Sequence, residues 1–420
     1  MPYARPVEGQ VPKEEPLLRI AARRAIRRLR ADAETPEFGR LLIYQALGAA
    51  GDALVAVALA GSLFFSVPEA EARESVALYL LLTMAPFAII APFLAALLDR
   101  RGGGMRVALV VASLARAGFA LGLRGRLDSL ILFPLAFALL MGSRAALIVR
   151  GALLPQLVAG GGSLVNANAT LSRTSALAGI LGGAVGVALL RWPGSAFELA
   201  VAATVYAAGL IPAARLPRRA GRRPKDERLA ARAGARVVSI RQAVVAVAGL
   251  RLLVGFLVIH LAFALRREDF GSLGLGLLVG SAAAGTLLGA LSAPRLRRRL
   301  KEEGIIVVAL ILAGAGGLAV GRWFGLATAA GLVCAFGIAS GAAKVAFDAI
   351  VQRDTPEMAR GWAFARYEAS LQLAWVCGAL IPLLPSIPAG PGVFGAGVVA
   401  NLLAIVYVAG RHRVRSAAMP

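Results

Sequence analysis

Acidic residues are the scarcest resource of this chain: 23 Asp and Glu stand against 46 Lys and Arg, a formal net charge of +23. Charge of either sign is thin as well, at 16% of 420 residues, where soluble domains carry roughly 25%. There are only two cysteines and two histidines. Cys334 and Cys377 sit far apart in apolar runs, with no Cys or His at metal-ligand spacing, so neither a disulfide framework nor a zinc site is expected. They read as small hydrophobic core residues. The sequence has no Walker-type Gly-Lys-Ser/Thr loop, no HExxH, no GxSxG and no carboxylate cluster suited to a metal. ATP-driven pumping within this chain, enzymatic chemistry, a resident metal and a cofactor are therefore not expected. The first forty residues are polar and basic without an apolar h-region, so no cleavable signal peptide is expected.

What remains is apolar. The chain is 58% hydrophobic with a mean hydropathy of +0.74, above the roughly 45–50% apolar content of soluble domains. A soluble protein of this size could not cover so much apolar surface. The positive charge first suggests nucleic acid, but its placement argues otherwise. The basic residues lie mostly in short segments between apolar runs, the pattern of cytoplasmic loops in a membrane protein. Membrane lipid, not nucleic acid, is the expected partner.

A spanning helix needs about 20 mostly apolar residues. Such segments fall near 41–66, 76–98, 105–123, 129–152, 165–190 and 195–214, then near 243–264, 272–293, 304–321, 324–349, 362–384 and 392–410. The expected fold is an all-α membrane protein of twelve transmembrane helices in two sets of six. Its organisation would be a basic amino-terminal arm (1–37), a first six-helix set (38–214), a polar linker (215–241), a second set (242–410) and a tail (411–420). Within the arm, Leu17–Arg30 reads as an amphipathic helix able to lie on an anionic leaflet, or as a solvated tail. One set of alternate connections receives the arm, Asp99–Arg106, Arg150, the linker, Arg295–Lys301, Arg353 with Arg360, and the tail. The other receives only Arg73, Arg124, Arg126, Arg191, Arg266, Arg267 and Arg322. The first side is therefore expected to be cytoplasmic, with both termini inside a bacterial plasma membrane. Glycines in the fifth span (Gly179, Gly182, Gly183, Gly186) and the GxxxG of Gly285 and Gly289 read as packing surfaces.

Ionisable side chains inside spans cost about 2.5–3.5 kcal/mol each on insertion scales and mark sites of function or pairing. Asp52 follows Gly48 and Gly51 in an apolar run with no basic residue within a turn, so it needs a distant cation or water. It is a candidate for a cavity role, and a buried carboxylate can exchange protons near neutral pH. Arg144 is a candidate for coupling or for pairing with Asp52. His260 is a lone histidine with a pKa suited to proton exchange. Lys344 and Asp348 are four apart on one helical face and can pair. Arg366 and Glu368 sit near the start of their helix, where snorkelling or contact with the loop at Asp99 is expected. Arg251 is expected to reach the interface, and Glu198 to be wet.

The stretch Ala91–Arg106, APFLAALLDRRGGGMR, ends one apolar run in Asp99-Arg100-Arg101 and three glycines before the next begins. It resembles the signature loop between the second and third helices of the major facilitator superfamily, Gly-x-x-x-Asp-Arg-x-Gly-Arg-Arg. Asp99, Arg100 and Gly102 match. Ala95 replaces the first Gly, and Gly103 and Gly104 replace the basic pair. Arg144, in MGSRAAL, resembles the Arg of the family's fourth-helix motif without its Gln-Gly. The segment Ala178–Leu190 has the glycines but not the Pro of the antiporter motif. Asp348, Gln352, Gly361, Phe364 and Glu368 look like the tenth-to-eleventh-helix region of bacterial exporter-type members. The resemblance implies two six-helix bundles around a central cavity faced by Asp52, Arg144, His260, Lys344 and Asp348. It also implies a cytoplasmic gate motif of Asp99, Arg100, Gly102 and Arg106. The implied function is secondary transport by alternating access of a small amphipathic or hydrophobic molecule, with efflux as the expected direction and protons as a candidate coupling ion. A lysophospholipid flippase-like carrier and a non-transporting receptor or scaffold are the alternatives, and a monomer is expected.

Overall fold

The structure, a computed structural model, describes residues 35–63, 104–127, 129, 131–158, 163–217, 228–267, 271–356, 359–383 and 387–416. Most of the amino-terminal arm, the span expected at 76–98 and the gate residues Asp99, Arg100 and Gly102 lie outside them.

The described regular structure is helical: α1 (Pro36–Leu63), α2 (Gly104–Leu123), α3 (Leu132–Leu157), α4 (Leu164–Arg191), α5 (Ser195–Ala208), α6 (Leu210–Ala214), α7 (Arg228–Arg267), α8 (Gly271–Arg297), α9 (Glu302–Arg322), α10 (Leu326–Asp354), α11 (Arg360–Leu380) and α12 (Ala389–Ser416), with a short 3₁₀ turn at Ile381–Leu383. Hydrocarbon offers no partner for backbone N–H and C=O groups, so apolar runs of this length satisfy them internally as helices. Among the described residues nine helical segments are long and apolar enough to cross a membrane, α5 and α6 counting as one broken at Gly209. Helices α8 and α11 have the length, at 27 and 21 residues. Every expected span except that at 76–98 thus meets a described helix.

Helix ends follow local chemistry. Thr35 opens α1 by accepting the amide of Phe38 on its hydroxyl at 3.1 Å, and donates that hydroxyl to the carbonyl of Leu157 at 2.6 Å. Ser163 caps α4 from the side chain. Helix α7 starts at Arg228, within the stretch expected as linker, and runs unbroken for 40 residues, about 60 Å at 1.5 Å per residue. The part of it long and apolar enough to cross a membrane is Ser239–Ala264.

Helices α1–α6 pack mainly on one another, as do α7–α12, and the two sets meet where α3 and α4 contact α8, α10 and α11. The outer surface is apolar: Leu181, Ile405, Val406 and Ile211 are among its exposed large side chains. The helix ends that carry Arg40, Arg106, Arg215, Arg295–Arg299 and Arg353 lie together and form a basic end. Trp192 and Trp323, exposed by 84% and 71%, sit at the opposite end, where interfacial tryptophans belong. At the basic end, Arg353 donates to Glu302, Glu303 and Asp354 at 2.8–2.9 Å, and Arg297 to Glu302 at 2.8 Å, tying α8, α9 and α10 together.

Glycine packing divides by position. Gly285 and Gly289 of α8 lie against the backbone of Cys334 and Ile338 in α10, while Gly337 and Gly341 of α10 lie against α8 in return. Gly182 meets the backbone of Ala50 in α1, whereas Gly179 and Gly183 face open space. Only part of the fifth-span glycine row is a packing surface. Overpacked sites cost about 1–3 kcal/mol. Gly289→Ala should therefore lower the thermal midpoint of the purified protein by several degrees, and Gly179→Ala should leave it within a degree, as read by size-exclusion melting curves.

Candidate functional site: a buried charge network at the seam

Two polar clusters lie inside the bundle. The first surrounds Asp52 on α1. Its Oδ1 accepts from Ser143 Oγ of α3 and Tyr206 Oη of α5, each at 2.7 Å, and Arg116 Nη1 of α2 lies 3.6 Å away. Arg116 is buried. It donates from Nη2 to Tyr44 Oη at 3.0 Å and from Nε to the carbonyl of Ala112, and its guanidinium lies over the Tyr206 ring at 4.8 Å. Gly48 and Gly142 leave the room for Arg116, and Gly51 for the Tyr206 ring, since a methyl group at any of the three would press on those side chains. The glycines that made Asp52 conspicuous therefore seat its partner. The Asp52 side chain keeps 43% of its surface accessible, enough for water or a proton carrier to reach it.

The second cluster is centred on Lys344 of α10. Its Nζ donates to Asp348 Oδ1 one turn along and to Glu368 Oε1 of α11, both at 2.5 Å. All three side chains are under 20% exposed. Arg150 of α3 is within electrostatic reach of Asp348 and Glu368. Arg144 of α3 and Arg251 of α7 are within reach of Glu368. Arg144 also feels Asp52, so it stands electrostatically between the clusters. Beside Lys344, a cavity of about 180 Å³ is lined by Arg251, Ser172, Ser340, Thr286 and apolar side chains including Phe336 and Leu257.

Just toward the basic end, the two sets are joined by neutral groups. Gln352 of α10 accepts from Asn168 Nδ2 of α4 at 2.6 Å and donates from Nε2 to the carbonyl of Gly151 in α3 at 3.0 Å. The Phe364 ring of α11 lies flat against Gly151. Any opening of this end must break these contacts.

Of the sequence candidates, Lys344 and Asp348 form the pair their spacing predicts. Asp52 and Arg144 lie near each other, but the cation against Asp52 is Arg116. His260 is brought to neither cluster: it stacks on Phe256 at 4.8 Å and meets the Ala389 carbonyl and Gly392 at the start of α12. Arg106 lies in the first turn of α2, with Nη1 3.4 Å from the Leu216 carbonyl. Four expectations are corrected. Glu368 belongs to Lys344, Arg150 lies within α3 rather than in a connection, and Arg251 lines the cavity instead of reaching the interface. Glu198 is fully buried beside Gly186, not wet, and among the described residues neither of its oxygens has a partner. Arg366 is exposed, with its guanidinium over the Trp362 ring at 5.1 Å. Among the described residues no group of three His, Cys, Asp or Glu is placed to hold a metal ion.

No protein-family model matches the chain. In sequence it is 33% identical over 381 residues to an uncharacterized protein of Mycobacterium leprae, covering 79% of this chain and 64% of that protein. It is 33% identical over 376 residues to an uncharacterized protein of Mycobacterium tuberculosis, covering 79% and 66%. The chain thus spans slightly under two thirds of the length of these relatives. In structure it is similar to a bacterial homologue of the iron transporter ferroportin in an outward-facing state with soaked iron, with a TM-score of 0.72, 19% identity, and coverage of 89% of this chain and 99% of that one. It is similar to the human organic anion transporter MFSD10, with a TM-score of 0.64, 16% identity and coverage of 89% and 100%. It is also similar to the major facilitator superfamily transporter FucP in the outward conformation, with a TM-score of 0.61, 13% identity and coverage of 89% and 98%. The chain is a multi-pass integral membrane protein with the fold of the major facilitator superfamily.

Removing one member of a buried ion pair typically costs about 3–5 kcal/mol because the other charge is left uncompensated. Lys344→Met should therefore destabilise the protein strongly in detergent melts. Lys344→Met combined with Asp348→Asn and Glu368→Gln should recover most of the loss. Equal melting of the single and triple variants would show that the three charges do not act as one unit.

Proposed function

We propose that the protein is a secondary transporter working by alternating access, with α1–α6 and α7–α12 as its two rocking bodies. The observation that carries this reading is the position of the charge network. Lys344, Asp348 and Glu368 lie in the lipid-spanning part of the chain, next to a cavity and directly above the seam of Gln352, Asn168 and Gly151. Intramembrane ionisable groups are expensive and mark pathways. The basic end is the cytoplasmic one by the bias of its connections. With the seam of Gln352, Asn168 and Gly151 closed, the arrangement fits an outward-facing state, the state named for the ferroportin homologue and for FucP. The protein then sits in a bacterial plasma membrane with both ends of this chain inside.

The cargo is a small amphipathic molecule with an acidic group. The apolar lining of the cavity takes its body. Arg251 and Lys344 line the cavity and, among the described residues, no carboxylate does, so its lining carries an excess of positive charge. A carboxylate from the cargo would compete for Lys344 and Arg251. The organic anions named for MFSD10 fit the same chemistry. Asp52 is the coupling group. It is reachable by water and held by Arg116, Ser143 and Tyr206, so taking up a proton would cancel its attraction for Arg116 and loosen α1 from α2. Export driven by the inward proton gradient follows.

In proteoliposomes, wild-type protein should move anionic amphipathic dyes faster than cationic ones, and several-fold faster with an imposed pH gradient. Asp52→Asn should lose the gradient dependence, and Lys344→Met should fall to background. Flux indifferent to the gradient in wild type would remove proton coupling, and a preference for cationic dyes would remove the anionic cargo. The resting state is tested separately. In a Cys334→Ala, Cys377→Ala background, Ser340→Cys should react with an impermeant maleimide from the outer face only. Replacing Gln352 by Ala should let the inner face react as well.

A further inference from the structure

A second cavity, of about 780 Å³, opens at the basic end between the two helix sets. Its walls are the start of α4, the end of α8, the start of α9 and the end of α10, with Phe38 of α1 at one side. Five arginines line it, Arg173, Arg295, Arg297, Arg298 and Arg353, against one carboxylate, Glu302. Both oxygens of that carboxylate are already taken, by Arg297 and by Arg353. Arg353 is further held by Glu303 and Asp354. Arg295 donates only to its own helix, to the carbonyl of Leu291 at 3.3 Å, and among the described residues neither Arg295 nor Arg298 has a carboxylate partner. Asn166 and Thr170 add neutral polar groups from α4.

Exposed arginines on the cytoplasmic side of a membrane protein are ordinarily just solvated. Here they converge on a concave site whose remaining walls, Phe38, Leu291, Pro294 and Ala349, are apolar and focus the positive field. Planar guanidinium groups match phosphate oxygens two at a time, with a geometry that lysines lack. The volume exceeds what a bare ion needs and suits a phosphate carrying an organic group.

We propose that this cavity binds a phosphate-bearing anion, either the headgroup of an anionic phospholipid or a soluble phosphorylated compound. Arg295 of α8 and Arg298 just after its end are the main contacts, and α4 forms the opposite wall. The bound anion ties α4 of the first set to α8 and α10 of the second. A ligand that bridges two bodies favours the arrangement in which they lie together. Under the transport reading above, it would therefore hold the cytoplasmic end shut. The binding site itself does not rest on that reading, and the test below reads binding without transport.

Full-length protein would be melted in detergent at constant ionic strength, with chloride, inorganic phosphate or pyrophosphate, and in nanodiscs of phosphatidylcholine with or without phosphatidylglycerol. The wild-type thermal midpoint should rise by several degrees with at least one phosphate-bearing addition, since a ligand that binds the folded form stabilises it by mass action. The rise should be lost in Arg295→Gln with Arg298→Gln and kept in Arg299→Gln, which removes a neighbouring charge outside the cavity. If the paired variant does not purify, Arg298→Gln alone should halve the rise or more. Stabilisation by phosphatidylglycerol alone assigns the site to lipid, and by pyrophosphate alone to a soluble compound. No rise with any addition, or a rise of equal size in the Arg295 and Arg298 variant, overturns the proposal.

Discussion

One ammonium group held between two carboxylates constrains the whole membrane-embedded part of this protein. Lys344, Asp348 and Glu368 meet within hydrogen-bond distance inside a bundle whose outer face is apolar. None of the three could stay ionised there alone, because the loss of hydration is repaid only by close, well-directed partners. The consequence is geometric. Helices α10 and α11 must keep these atoms together, and Arg144, Arg150 and Arg251 of α3 and α7 lie within electrostatic reach of them. The pair of Asp52 and Arg116 does the same for α1 and α2, with Tyr44, Tyr206 and Ser143 completing the hydrogen bonds.

The seam between the two helix sets is built from different material. Gln352, Asn168 and the carbonyl of Gly151 are neutral. Breaking a neutral hydrogen bond and replacing it with water or another partner changes the free energy by about 0.5–1.5 kcal/mol, against several for an ion pair taken apart in a dry site. Under the proposed transport cycle, a contact that opens and closes is better made of amides than of charges. At the α8–α10 interface, by contrast, glycines bring two backbones into direct contact.

The basic end adds a third layer. Arg353 and Arg297 consume the acidic groups of Glu302, Glu303 and Asp354, so α8, α9 and α10 end in a closed local network. Arg295 and Arg298 project beyond it. Charge that no carboxylate among the described residues neutralises is thereby concentrated at the mouth of the seam.

Much of this was legible in the sequence, because crossing a bilayer is a one-dimensional demand: some twenty apolar residues in a row. That alone set the spans from 105–123 to 392–410 and the side on which their arginines cluster, and i, i+4 spacing set the pairing of Lys344 with Asp348. The third member of that cluster was not legible, since Glu368 lies 24 residues away on another helix and local periodicity carries no information about which helices become neighbours. For the same reason Asp52 was visible as a charge in need of a partner while Arg116, 64 residues on, was not visible as that partner. Arg150 was assigned to a connection because hydropathy fades at a span's end, yet it lies within α3. Glu198 was expected in water and is buried by neighbouring helices. The sequence by itself determined that helices would cross a membrane and which charges would have to be explained. Only the tertiary structure decided how those charges were matched, because an ion pair is a relation between surfaces brought together by packing and not a property of either strand of sequence.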